Sequence, residues 1–335
     1  MTFAGRIQFR RAALCVAAGL LGTAFALTAS ADDKPLPVAL VDALNTLAGG
    51  PHPGYRANHA KGVLVRGEFT PAPGARHFSK APHFAHAVPV LVRFSDATGV
   101  PTLPDADPNA SPHGMAIRFQ LPDGSTDIVS ISANGFPVAT PEDFLALLRA
   151  IAASGGGAPK PTPVEQFLGS HPAALKFVTT PKPAPESFAT LAFYGVNAFK
   201  FTNARGQSHF ARYQILPVAG DHALGEAEAA KAAPDYLMEE LPRRIASGAV
   251  EFKLLAQVAA AGDPVDDATA VWPAERERVE LGTLRLTAVV PDQVAAQRAL
   301  LFNPLSLRDG IEASQDPVLL ARPPAYAVSF TQRAQ

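Results

Sequence analysis

Residues 114–132 read GMAIRFQLPDGSTDIVSIS, and this stretch decides the fold. Met115, Ile117, Phe119 and Leu121 alternate with Ala116, Arg118 and Gln120, the period-two pattern of a half-buried strand. Pro122-Asp123-Gly124 marks a turn, and Asp127–Ser132 reads as the returning strand. Working outward, Pro89–Ser95 (PVLVRFS) is a further strand, and Gly62–Phe69 carries Val63 and Val65 on one side. Downstream, Leu191–Thr202 and His209–Pro217 form a hairpin about the turn Asn203-Ala204-Arg205-Gly206, and Phe252–Ala259 and Val279–Leu286 add two strands. Helical patterns cover Val38–Leu47, Phe144–Ala152, Pro163–His171, Pro172–Phe177 and Tyr236–Ser247. Many antiparallel strands with helices inserted or appended predict an α+β fold built on a closed or nearly closed antiparallel β-barrel. No internal repeat and no second domain boundary is visible.

The amino-terminal end has a different character. Arg6, Arg10 and Arg11 precede an apolar run from Ala12 to Leu27, and Ala29-Ser30-Ala31 then gives a small-x-small cleavage pattern. This predicts an export signal over residues 1–31, removed after Ala31, with residues 32–335 left as one mature domain in the periplasm. The apolar run is short of the roughly 20 residues a bilayer span needs. The Arg10-Arg11 pair suggests the twin-arginine route, which carries folded proteins with bound cofactors, but the residues after it fit that signal only loosely and Sec export is the alternative. Cys15, the only cysteine, lies inside the signal. The mature protein therefore has no thiol, which excludes thiolate catalysis, cysteine-ligated zinc and iron–sulfur clusters. The formal net charge is −1 and no basic run is long enough for nucleic acid. No apolar run after Leu27 is long enough to span a membrane. The 32 prolines cluster around residues 101–112, 159–163 and 181–185, between apolar segments, as ordered surface connections.

Several chemistries are absent by motif: no Gly-x-Ser-x-Gly elbow, no phosphate-binding Gly-x4-Gly-Lys loop and no His-Glu-x-x-His helix. His59, within GYRANHAKGVLVRGEF (54–69), is open to two readings from its neighbours alone. It is a loop histidine bonded to the backbone, or a group that handles protons near neutral pH. Tyr326 is likewise a packing residue or a ligand.

Five separated fragments remain: Arg56-Ala-Asn-His59-Ala-Lys-Gly62; Val90-Leu-Val-Arg93-Phe-Ser95; His113-Gly-Met-Ala-Ile-Arg-Phe119 with Asp127-Ile-Val129; Pro141-Glu-Asp-Phe144; and Phe302-Asn-Pro304, Gly310-Ile-Glu-Ala-Ser314 and Arg322-Pro-Pro-Ala-Tyr326. In this order and spacing the sequence resembles the haem catalase family, and within it the short exported branch of catalase-related peroxidases. The resemblance covers most of the mature chain. It implies a catalase-like barrel of about eight strands and one haem b per chain, with no NADPH expected. It also implies hydrogen peroxide as substrate, and possible organic peroxides, with an organic electron donor. Three needs follow: a base that moves a peroxide proton, an axial ligand for the iron, and cations for the haem carboxylates. The resemblance gives His59 the first role, with Ser95 orienting it and Asn58 beside it. Tyr326 is implied as the proximal iron ligand and Arg322, four residues earlier, as its partner. Arg56 and Arg93 are implied as propionate holders, and Phe144 as the aromatic on the distal haem face. Pro323-Pro324 fit a helix that begins there.

The sequence also departs from the family. Large catalases carry an asparagine four residues after the aspartate of Asp-Leu-Val, and here that position is Ile131. Asn58 and Asn134 are the candidates to supply the missing amide. The chain is expected to lack the amino-terminal arm and carboxy-terminal helical domain of large catalases, which predicts a more open haem and a monomer or homodimer. Together these predict a haem peroxidase with residual catalase activity at most. The alternatives are a haem enzyme that rearranges fatty-acid hydroperoxides, a non-catalytic periplasmic haem carrier, and a solute-binding barrel without haem.

Overall fold

The computed structural model describes residues 34–334. From Pro35 onward the described residues form one compact unit. The expected export signal lies outside the described residues.

The strands, in chain order, are β1 Gly62–Pro71, β2 Val88–Ser95, β3 Gly114–Leu121, β4 Gly124–Ile131, β5 Phe193–Tyr194, β6 Phe199–Thr202, β7 Ser208–Pro217, β8 Val250–Val258, β9 Arg278–Val289 and β10 Ile311–Ala313. The helices are α1 Leu36–Leu47, α2 Ala75–Phe78, α3 Pro141–Ala152, α4 Pro163–Ser170, α5 Pro172–Thr179, α6 Glu226–Ala229, α7 Tyr236–Ser247, α8 Gln293–Ala299 and α9 Pro317–Ala334. The sheet runs β10-β6-β7-β5-β4-β3-β2-β1-β9-β8, and a further β7–β8 pairing closes it. The closed circuit β7-β5-β4-β3-β2-β1-β9-β8 is an eight-stranded antiparallel barrel, with β6 and β10 extending from β7.

An eight-stranded barrel is just wide enough for side chains to fill it. Here Val65, Phe69, Val92, Phe94, Ile117, Phe119, Phe252 and Leu284 are wholly buried at alternate positions. Phe69 meets Phe119 edge-on at 5.1 Å, and Phe94 stacks on Phe188 at 5.4 Å. With the interior full, a ligand cavity has to lie on the outer face. The residues that alternate outward on β2, Arg93 and Ser95, are buried as well. Helices α1, α3 and α9 pack on one another and cover that face.

The register builds the floor of the site. Gly62 pairs with Ser95, Ser95 with Gly114, Gly114 with Ile131, and Ile131 with Tyr194. The next row is Leu64, Arg93, Ala116 and Val129.

Two local expectations change. The stretch expected as one strand over Leu191–Thr202 is interrupted after Tyr194, and β6 resumes at Phe199. Gly195 sits in the break, where a Cβ would come 3.2 Å from the Tyr213 Cβ. The last helix begins at Pro317, six residues before Pro323, so the two prolines lie inside α9 rather than at its start. Asp316 holds that start: its Oδ1 accepts from the backbone N–H of Val318 (2.9 Å) and Leu319 (3.3 Å). Arg322 and Tyr326 still share one helical face, because the i,i+4 spacing survives the prolines.

Candidate haem site

One cavity on the outer face collects the residues singled out in the sequence. Arg56, Asn58, His59, Arg93, Ser95, Phe144, Arg322 and Tyr326 all line it. Between its walls, open mouth included, it measures about 1430 Å³. The rest of the lining is largely apolar, including Leu40 and Leu44 of α1, Val129 and Ile131 of β4, Phe136 and Phe302. Ile131 therefore faces the cavity, whereas Asn134 is exposed and is not part of the wall. Of these two candidate amides, Asn58 is the one at the wall. Phe144 tilts against Phe136, ring centroids 5.1 Å apart.

His59 sits in the loop before β1 with φ +57°, in the left-handed region where a residue with a side chain is uncommon. Its Nδ1 lies 3.0 Å from the Ser95 hydroxyl. Beneath the ring is Gly114. A Cβ there would stand 2.8 Å from Cε1 and Nδ1 of His59 and from Oγ of Ser95. Burial, followed by the positive charges of Arg93, Arg56 and Arg322, lowers the His59 pKa to about 3. The imidazole is thus neutral at physiological pH, able to accept a proton.

At another part of the wall three guanidiniums converge. Arg56 and Arg333 both donate to the Leu300 carbonyl, at 2.8 and 2.6 Å. Arg93 donates through Nε to Oε1 of Gln297 (2.7 Å) and through Nη2 to the carbonyls of His59 (2.9 Å) and Ala60 (3.2 Å). The other described hydrogen bonds of Arg56 and Arg333 also end on backbone carbonyls. Burial and the neighbouring Arg93 and Arg333 push Arg56 down to about 7. Like charges buried together on neutral acceptors call for an anion with more than one negative charge.

Tyr326 belongs to a polar chain on α9. Arg322 Nε donates to the Tyr326 hydroxyl oxygen at 2.9 Å, and Arg322 Nη1 donates to Asn197 Oδ1 at 2.7 Å. Asn197 Nδ2 in turn donates to the buried Asp316 at 2.7 Å. Asn197 occupies the break between β5 and β6, so the interruption of that strand brings an amide to the arginine.

Sequence reasoning did not find Gly114, Asn197, Gln297, Asp316 or Arg333. Arg333 had a signal: it lies seven residues after Tyr326, two turns along the same helical face. Asn197 had a weaker one, a polar residue behind a glycine in an apolar strand. Asp316 had a capping signal, standing directly before the helix-opening Pro317, whereas Gln297 works through contacts distant in sequence and carried none.

The barrel with its helix-covered outer cavity defines the class, and the chain belongs to the catalase family, whose profile matches residues 53–334. It is 33% identical over 332 residues to a catalase-related peroxidase of Synechococcus elongatus, covering 97% of this chain and 95% of that protein. It is 36% identical to a catalase-related peroxidase of Mycolicibacterium paratuberculosis, covering 89% of this chain and 94% of that one. Among solved structures, a fungal catalase superposes with a TM-score of 0.75 at 23% identity, over 83% of this chain and 59% of the catalase. The likeness to that structure is one of fold, and the chain spans about three-fifths of it.

Membership implies a haem cofactor. The residues present fit one. The cavity is large and apolar as a porphyrin requires, the Arg56, Arg93 and Arg333 cluster suits two propionates, and an arginine-backed phenol suits an axial ligand.

Proposed function

We propose that the protein is a haem peroxidase that reduces hydrogen peroxide, and organic peroxides that fit the apolar cavity, at the expense of an organic electron donor. The observation that carries the reading is the presence, in one cavity, of a neutral histidine held by a serine and a tyrosine held by an arginine. When bound as haem b, the iron porphyrin supplies the electrons that cleave the O–O bond and is restored by the donor. Tyr326 would be the axial ligand, its phenolate stabilised by the Arg322 guanidinium. Arg56, Arg93 and Arg333 would hold the propionates, and Phe144 would pack on the distal face.

His59 is the acid–base group. With Nδ1–H donating to Ser95 Oγ, Nε2 carries the lone pair. It takes the proton from one peroxide oxygen and returns it to the other, which departs as water or alcohol. Ser95 positions the ring, and Gly114 leaves room for it. Asn58, in the cavity wall beside His59, would supply an amide to the peroxide. Ile131 offers no hydrogen bond where a second peroxide would have to be oriented, which favours donor turnover over oxygen release. Residues 1–31 carry the pattern of an export signal, and we place the mature protein in the periplasm. No helix among the described residues is long and apolar enough to cross a membrane.

The test is steady-state peroxide consumption with and without an aromatic donor, from pH 4 to 8. Consumption should depend on donor with little oxygen evolved. It should show no acid limb near the usual histidine value of about 6.5, because burial holds His59 neutral well below it. Rapid oxygen evolution without donor would contradict the proposal.

A further inference from the structure

We infer that Lys61, in a socket formed by Asp96, Asp105 and Asp235, is a positioning residue that holds His59 in place for proton transfer. The inference rests on the reading of His59 as the distal base.

A residue with a side chain held in the left-handed region is strained, and persists only where its surroundings enforce it. His59 is such a residue, and the chain leaves it through Ala60 into Lys61. The Lys61 ammonium is buried and faces more oxygens than its three protons can serve. It donates to the carbonyls of Leu103 (2.6 Å) and Pro234 (3.2 Å) and to Oδ1 of Asp235 (2.9 Å). It also pairs with Asp105, and Asp96 Oδ2 stands 3.7 Å away. Asp105 is itself fixed, accepting from the backbone N–H of Leu237 (2.7 Å) at the start of α7. One side chain thus ties the His59 loop to a helix more than 170 residues away in sequence.

The sheet register shows why this socket reaches the histidine. Gly62, Ser95 and Gly114 form one row, and the last two contact His59 directly or leave space for it. Lys61, Asp96 and His113 occupy the adjoining positions, one residue away from each. There the Asp96 N–H donates to the Lys61 carbonyl (3.3 Å), and Asp96 Oδ1 lies 3.0 Å from His113 Nδ1. Every strand end that shapes the seat of His59 is therefore next to a member of the same cluster of charged and polar side chains. Such a cluster is a weak source of net stability, since desolvation offsets its attraction, but it admits few geometries.

The test uses the haem-loaded protein and two readouts: association of cyanide with the ferric form, which needs a base to accept the proton of hydrogen cyanide, and peroxide turnover. Displacement of a catalytic group by about 1 Å costs on the order of a hundredfold, so Lys61→Met should slow both by about that factor. The Soret band and the KM for the donor should stay unchanged, and Lys61→Arg should recover most of the rate. Should Lys61→Met not fold, Asp235→Asn, at the exposed rim of the socket, should slow cyanide association in the same direction. A folded Lys61→Met protein, or in its place Asp235→Asn, that binds cyanide within about twofold of wild type overturns the inference. His59→Ala separates the two readings. If it too binds cyanide at the wild-type rate, the distal-base reading fails; if it is slow while Lys61→Met is normal, only the positioning role fails.

Discussion

Replacing His59 with alanine should lower peroxide turnover by about a hundredfold to ten-thousandfold, the range a positioned general acid–base contributes. The haem should remain bound. Arg56, Arg93 and Arg333, proposed to hold the propionates, and Arg322–Tyr326, proposed as the proximal pair, do not depend on the imidazole for their hydrogen bonds. The loss should therefore appear in the peroxide step with an unchanged Soret band. A protein whose task is to carry haem has no use for the base, and in that case the variant would retain haem uptake and show no functional change. Stopped-flow mixing of the ferric protein with peroxide measures the step directly.

The second large effect comes from a residue with no side chain. In Gly114→Ala the new Cβ would stand 2.8 Å from two atoms of the His59 ring and from the Ser95 hydroxyl, closer than such contacts can be. The strand backbone itself tolerates alanine, so the conflict is steric and local. Either the ring or the serine has to move, and both are fixed to each other. Overpacking of this kind typically costs about 1–3 kcal/mol of stability. A shifted imidazole should add a rate loss of about a hundredfold. Thermal denaturation and peroxide turnover check the two parts, and full activity in a stable Gly114→Ala protein would contradict the geometry.

The barrel was legible where alternation was clean. Strands β2 and β3 follow from Val90, Val92 and Phe94, then Met115, Ile117 and Phe119, because their inward side chains fill the barrel. The short strands β5 and β10, two and three residues long, have too few positions for any period to show. The break at residues 195–198 hid inside an apolar run, since its purpose is to place Asn197 against Arg322 rather than to end a sheet. At the site, charged and aromatic residues grouped by motif could be gathered from the sequence. The contacts that hold them could not. Gln297 reaches Arg93 across 204 positions and Asn197 reaches Asp316 across 119. The long reach of Lys61 into α7 is of the same kind.

The central claim is that the phenolate of Tyr326 binds the haem iron, and the visible spectrum of the haem-loaded protein and its Tyr326→Phe variant tests it most directly. The wild type should show a tyrosinate-ligated ferric spectrum, and the variant a shifted Soret band with weakened haem retention. A Soret band that is unchanged in Tyr326→Phe, or wild-type protein that takes up no porphyrin when haem is supplied, would contradict it.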